Sequence, residues 1–311
     1  MTRKGSSHSF VRIVPEVRQA LEDRVPVVAL ESSVLAHGLP IPHNRDAAER
    51  MLGAVRREGA VPAITAVVRG VPTIGLDSDE LERFLNRDGV RKVSARDVPS
   101  AVAQRADGAT TVAASLMLAR AGSPDGIRVF ATGGIGGVHR DAPFDESADL
   151  LELARTPMLV VCAGAKSILD LPATWERLET LGVPVIGFQT NELPGFFTAE
   201  TGIRLDVTAA TPGEIVAMFR AHRSLGRSQA MLVVQPPPPA FALPRARVEA
   251  AVENAQRDAR RNGIRGAAVT PYLLAAVTHL TGGSSLTANL ALLEQNASLA
   301  GSLATLCSAP E

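Results

Sequence analysis

The chain has 311 residues, 46% hydrophobic and 21% charged, with 32 Lys+Arg balancing 32 Asp+Glu. That length suits one large domain or two modest ones, and zero formal net charge argues against a sequence-independent nucleic-acid binder, which needs a basic surface. Aromatics are only 4%, too few for evident base-stacking platforms, and no apolar run approaches bilayer-spanning length.

Residues 1–10 carry no apolar signal core and are expected to be disordered. Cys162 and Cys307 are the only cysteines. They cannot form a structural zinc site alone, and no disulfide framework is apparent. A soluble, reduced, cytoplasmic protein is expected.

Residues 14–23 have a helical pattern, and residues 25–30 (VPVVAL) read as a strand buried on both faces. That strand ends at Glu31, an acid that either favours the next helix dipole or serves the site. Residues 37–44 read as a loop and residues 45–58 as a helix stopped by Gly59. Strands follow at 61–68 and 71–76, then a helix over 79–86 with Ser78 as its cap. Lys92 and Arg96 flank an extended piece, either as phosphate contacts or as surface charges. Thr110 and Thr111 open an alanine-rich helix over 112–121.

Strands at 128–132 and 158–162 bracket the richest stretch. The first runs into Gly133, Gly134, Ile135, Gly136 and Gly137, and the second into Ala163, Gly164, Ala165, Lys166 and Ser167. His139, Arg140, Asp141, Asp145, Ser147 and Asp149 lie between. Open α/β sheets bind ligands beyond the carboxyl ends of their strands, so this stretch is expected to form a pocket.

The remainder reads as a helix over 167–181 broken at Pro172, a strand at 183–188, and a loop over 190–202 carrying Phe196 and Phe197 as a lid or an interface. A helix starts at 211–214, and a strand at 231–234 runs into Pro236 to Pro239. Helices over 245–262, 270–281 and 286–300 close the chain. The alternation predicts an α/β/α sandwich around a largely parallel mixed sheet, as a single domain over residues 1–311.

Familiar phosphate-loop, HExxH and GxSxG motifs are absent. The central glycines lack dinucleotide spacing. The histidines form no spaced metal cluster, although Asp145 suits a hard divalent ion held by one carboxylate and water. Lys166 follows a buried strand and small residues. It is either paired with a carboxylate, such as Asp149 or Asp170, or a nucleophile.

Long ungapped motifs complete the reading: ALESSVLAHGLP (29–40), KVSARD (92–97), GATTVAAS (108–115), FATGGIGGVHR (130–140), D-x-SADL (145–150), RTPMLVVCAGAKSILDLP (155–172), LETLGVPVIGF (178–188) and GIRGAAVTPYLL (263–274). They resemble the pseudouridine-5′-phosphate glycosidases, or pseudouridylate synthases, of the indigoidine-synthase-A-like family. The resemblance runs from about residue 14 to about residue 300. It implies reversible, manganese-dependent cleavage of a C–C glycosidic bond, giving uracil and ribose 5-phosphate through a lysine-bound sugar. It assigns Lys166 as nucleophile, Glu31 as proton donor and Asp145 as the Mn2+ ligand. It places Lys92, Val112, Ser147, Ala148, Asp149 and Asn289 at the substrate, leaves Thr132 and His139 without a role, and implies a homotrimer. No nucleic-acid or membrane partner is expected.

The chain departs from the family at Glu146, which adds a charge beside Asp145, and at Gln235, which stands where the family has asparagine. The alternatives are a Schiff-base lyase or glycosidase acting on another sugar phosphate, and a non-catalytic sugar-phosphate sensor.

Overall fold

The computed structural model describes residues 10–123, 125–140 and 144–309. Residues 1–9 of the expected disordered start, Pro124 and Asp141 lie outside the described residues.

Among these residues the architecture is an 11-stranded, mostly parallel sheet with helices on both faces. From edge to edge the strands run Arg12–Ile13, Val71–Ile74, Val61–Val68, Val27–Glu31, Val129–Ala131, Leu159–Cys162, Met231–Val234, Val185–Phe188 and Thr208–Ala209. Gly108–Thr110 branches from Val61–Val68 and carries Arg91–Val93. The pairings of Val61–Val68 with Val71–Ile74 and with Gly108–Thr110 are antiparallel, so the sheet is mixed as expected.

The central strands read as unbroken apolar runs because both their faces are covered. Every residue of Val27–Glu31, Val129–Ala131, Leu159–Cys162 and Met231–Val234 is buried. Each fully buried valine or leucine there contributes roughly 1.5–3 kcal/mol of hydrophobic stabilisation. Helix Ser284–Ser308 lies across three central strands, between helices His43–Arg57 and Pro212–Ser224. Helix Val112–Gly122 packs against Val27–Glu31 and its neighbours, with helix Ala148–Leu153 beside it.

Several expected elements are corrected. Asp77, not Ser78, caps the helix Ser78–Asn86: its carboxylate accepts from Glu80 N at 2.8 Å, and Glu80 reaches back to Asp77 N. Pro172 does not break a helix; it sits in the first turn of Leu171–Thr180, where its missing N–H costs nothing. Residues 169–170 instead form a short antiparallel pair with Val138–His139. The expected loop over 37–44 is shortened at both ends, by a single π-helical turn, Val34–Gly38, and by the start of helix His43–Arg57.

Phe196 and Phe197 are neither a lid nor an exposed surface. Their rings are 3% and 2% accessible, tilted against each other with centroids 4.6 Å apart. Phe196 packs onto Gly134, where a Cβ would fall 2.6 Å from its ring. The apposition is completed by Gly164, which has φ +83° and no room for a side chain: a Cβ would lie 2.1 Å from Pro194 O. Gly164→Ala is therefore expected to destabilise the fold by roughly 2–3 kcal/mol. The measurement is a lower urea midpoint at unchanged m-value.

Candidate active site

Glu31 closes one parallel strand, Thr132 follows the next, and Lys166 lies four residues beyond the third. Adjacent parallel strands thus deliver these side chains to one end of the sheet, where α/β folds place their ligands. A cavity of about 440 Å³ opens there. Its walls include every residue to which the resemblance assigns a role: Glu31, Lys92, Val112, Asp145, Ser147, Ala148, Asp149, Lys166 and Asn289. Thr132 and His139 line it as well.

The chain has three lysines, at positions 4, 92 and 166, and otherwise uses arginine for its cations. Both lysines among the described residues line this cavity. Arginine would hold an anion equally well, but of the two only the lysine amine can serve as a nucleophile towards carbon.

Lys166 is half-buried, and its Nζ donates to the Gly134 carbonyl at 2.9 Å. The expected carboxylate partners are engaged elsewhere. The Asp149 oxygens accept from the backbone N–H groups of Ala113 and Gly136, each at 2.9 Å. The Asp170 carboxylate caps Leu171–Thr180 through Ala173 N at 3.0 Å. Of the alternatives left open for Lys166, pairing with Asp149 or Asp170 is therefore not what the structure shows.

Glu31 is 4% accessible. Its two carboxylate oxygens bond the hydroxyls of Thr132 and Ser33. The neighbouring Ser32 faces away from the cavity chemistry. It donates to Thr65 O at 2.7 Å and accepts from Thr110 N at 2.8 Å, tying three strands together.

Lys92 exposes its side chain toward the cavity mouth. Crowding by protein lowers its pKa, and the like charge of Lys166 lowers it further, against the pull of Glu31 and Asp149. His37, from the π-helical turn, also lines the wall. Its pKa is lowered by burial and then by Arg87 and Lys92, opposed by a backbone hydrogen bond at Arg91. Its buried Nε2 has no protein partner. No role for this residue was legible in the sequence, because a histidine in a proline-flanked stretch carries no positional signal.

Ser147 caps the helix Ala148–Leu153, its Oγ accepting from Asp149 N at 3.2 Å. Gly136 packs so closely beneath it that a Cβ would come within 2.2 Å of Ser147 Oγ. Asn289, 7% accessible, leaves its Oδ1 without a protein partner. A buried carbonyl left unpaired costs about 1–3 kcal/mol, which a ligand N–H would recover.

Asp145 is exposed on the cavity wall. Its backbone oxygen accepts from His139 N at 2.9 Å, and among the described residues its carboxylate has no hydrogen-bond or ion-pair partner. Those residues contain no cluster of three or more His, Cys, Asp or Glu side chains suited to a metal. A hard ion at Asp145 would therefore be held by that carboxylate and water rather than by a protein cage. The additional charge expected at Glu146 is compensated, since Arg177 Nε donates to it at 2.8 Å. Cys162 is an inert core thiol, its pKa pushed up to about 12 by burial.

With this geometry in view, the relatives are informative. The family described as "Indigoidine synthase A like protein" matches residues 16–306. The chain belongs to the indigoidine synthase A-like family. It is 64% identical over 293 residues to a pseudouridine-5′-phosphate glycosidase of Gemmatimonas aurantiaca, covering 94% of this chain and 95% of that one. A protein of the same name from Chloroflexus aurantiacus is 52% identical, covering 95% and 98% of the two chains. Among solved structures, the prealnumycin C-glycosynthase AlnA in complex with ribulose 5-phosphate superposes with TM-score 0.87 at 38% identity, over 96% of this chain and 97% of that one. An indigoidine synthase A-like protein of Thermotoga maritima gives 0.88 at 33% identity, over 99% and 100%. The α/β/α architecture is thus that of this family.

Asp149 joins the helix Val112–Gly122 to the glycine shelf, so Asp149→Asn sets an amide N–H₂ against a backbone N–H. The expected result is a stability loss of about 1–3 kcal/mol together with a raised KM. Thermal unfolding and steady-state kinetics measure the two.

Proposed function

We propose that the protein is a pseudouridine-5′-phosphate glycosidase, cleaving the C1′–C5 bond with water to give uracil and ribose 5-phosphate. The observation that carries this reading is Lys166: an amine bonded to a carbonyl, with no carboxylate partner among the described residues, in the same cavity as Glu31. The relatives named above, and a neighbour solved with a sugar phosphate, support it.

Ordinary glycosidases protonate a leaving oxygen between two carboxylates. A C-nucleotide has no such oxygen, so covalent catalysis is the available route. The bond from Nζ to Gly134 O orients the amino group, and its lone pair becomes available for attack once the nitrogen has given up a proton. Nζ attacks C1′, the C1′–O4′ bond breaks, and O4′ takes a proton as the ribose opens. The nitrogen lone pair then forms C=N as the C1′–C5 bond breaks. Glu31 supplies the proton that C5 receives, and uracil leaves. Water adds to the imine carbon, and collapse returns the free amine with ribose 5-phosphate in its aldehyde form.

In this reading Lys92 and Ser147 bind the phosphosugar, with Ala148 and Asp149 shaping that wall beside Val112. The Asn289 carbonyl accepts an N–H of the base. Asp145 would hold manganese, which when bound neutralises anionic charge on the substrate. A single catalytic domain, a cytoplasmic location and a homotrimer complete the proposal on the family resemblance. The described residues contain no helix long and apolar enough to cross a membrane.

Uracil release from pseudouridine 5′-phosphate tests this directly. Glu31→Gln should lower kcat roughly 10²–10⁴-fold, and Lys166→Ala at least as much. A chelator should suppress turnover and manganese restore it. Uracil release by Lys166→Ala at the wild-type rate would sink the reading.

A further inference from the structure

Lys166 stands on a connection rather than within a strand or helix. Such a segment delivers a nucleophile accurately only if its backbone is held from outside. Its N-terminal side is anchored to the glycine shelf, with Lys166 N donating to Ile135 O at 3.1 Å and Ile135 N to Gly164 O at 3.1 Å. The Lys166 carbonyl accepts from Leu169 N at 3.0 Å.

The next three carbonyls are all taken by side chains. Arg140 donates from Nη2 to Ser167 O at 3.1 Å and from Nε to Leu169 O at 2.9 Å. Gln256 donates from Nε2 to Ile168 O at 3.4 Å. Arg140 is itself fixed by Glu249, through Nη1 to Oε2 at 2.9 Å and Nη2 to Oε1 at 3.3 Å. Its side chain is 19% accessible. Only a planar fork can satisfy two carbonyls and a carboxylate together; a lysine ammonium cannot reproduce that pattern.

Glu249 and Gln256 both belong to helix Arg245–Arg261. That helix packs against Val269–Leu280, whose Thr270, Pro271 and Leu274 form part of the cavity wall. Arg247 Nη2 also bonds Thr281 O at 2.7 Å, just past the second helix. The same helical pair therefore touches the substrate cavity on one side and the backbone after Lys166 on the other.

We propose that Arg140 is a positioning residue that, held by Glu249 and assisted by Gln256, fixes the segment behind Lys166 and so aims its amine. The inference rests on the reading of Lys166 as nucleophile. The helical pair is coupled to the nucleophile through this bracket. Loosening the bracket leaves the substrate contacts of the cavity in place and misdirects the attack.

The test is kinetic, on the full-length chain with pseudouridine 5′-phosphate. Arg140→Lys is expected to lower kcat roughly ten- to a hundredfold while KM changes little, because misplacing a reacting atom costs rate rather than binding. Glu249→Gln should show a smaller loss of the same kind. In Arg140→Ala, added methylguanidine should restore kcat saturably. A space of about 590 Å³ lined by Arg140, Ser167, Glu249 and Gln256 lies open behind the segment to admit it. A merely structural tie would lower the melting temperature yet leave kcat per folded molecule unchanged and unrescued, and that result overturns the proposal. Lys166→Ala, assayed alongside, separates the possible failures. If it is inactive while the Arg140 variants are normal, only the bracket falls; if it stays active, the nucleophile falls and the bracket with it.

Discussion

The bond from Lys166 Nζ to the Gly134 carbonyl is what the rest of the site is arranged around. A lysine at the rim of a buried sheet ordinarily ends in an ion pair, because a charge removed from water needs compensation. Here the two expected partners have other tasks. Asp149 fastens a helix start to the glycine shelf, and Asp170 caps the following helix. Those assignments leave the amine with an oriented hydrogen bond and no carboxylate partner among the described residues. The glycines serve the same end: Phe196 packs onto Gly134 and Ser147 onto Gly136, where side chains on the shelf would hold them apart.

The sheet supplies the directions. Strands ending at Glu31, before Thr132 and before Lys166 are neighbours and parallel, so acid, hydroxyl and amine emerge on the same edge. The Thr132 hydroxyl bonds Glu31, while its carbonyl accepts from the Asn296 amide at 2.8 Å. Asn296 is oriented in turn by Gln235 at 3.0 Å. Gln235 thus reaches the buried Asn296 of helix Ser284–Ser308, which in turn holds the shelf at Thr132.

Much of this was legible in the sequence. Continuous apolar runs announced buried parallel strands, and the residues terminating them marked the pocket. The motif carrying Lys166 and the acid at Glu31 stood out because neither residue type belongs at the end of a covered strand without a purpose. What escaped were partnerships across long sequence separations. Nothing local shows that Arg177 neutralises Glu146, that Asn296 reaches Thr132, or that Arg140 meets Glu249. The two-residue strands at 138–139 and 169–170 are too short for any periodicity to reveal. The aromatic pair at 196–197 suggested a surface feature only because its buried neighbours, two glycines from a distant strand end, leave no mark on the local pattern.

The central claim is that Lys166 becomes covalently attached to the sugar. With only three lysines in the chain, the attachment point can be assigned without ambiguity. The decisive measurement is peptide mass spectrometry after borohydride reduction of the protein with ribose 5-phosphate. The account predicts a reduced pentose phosphate on the peptide containing Lys166 and none on Lys92. An adduct on Lys92 alone, or no adduct on a chain that turns over, would contradict it.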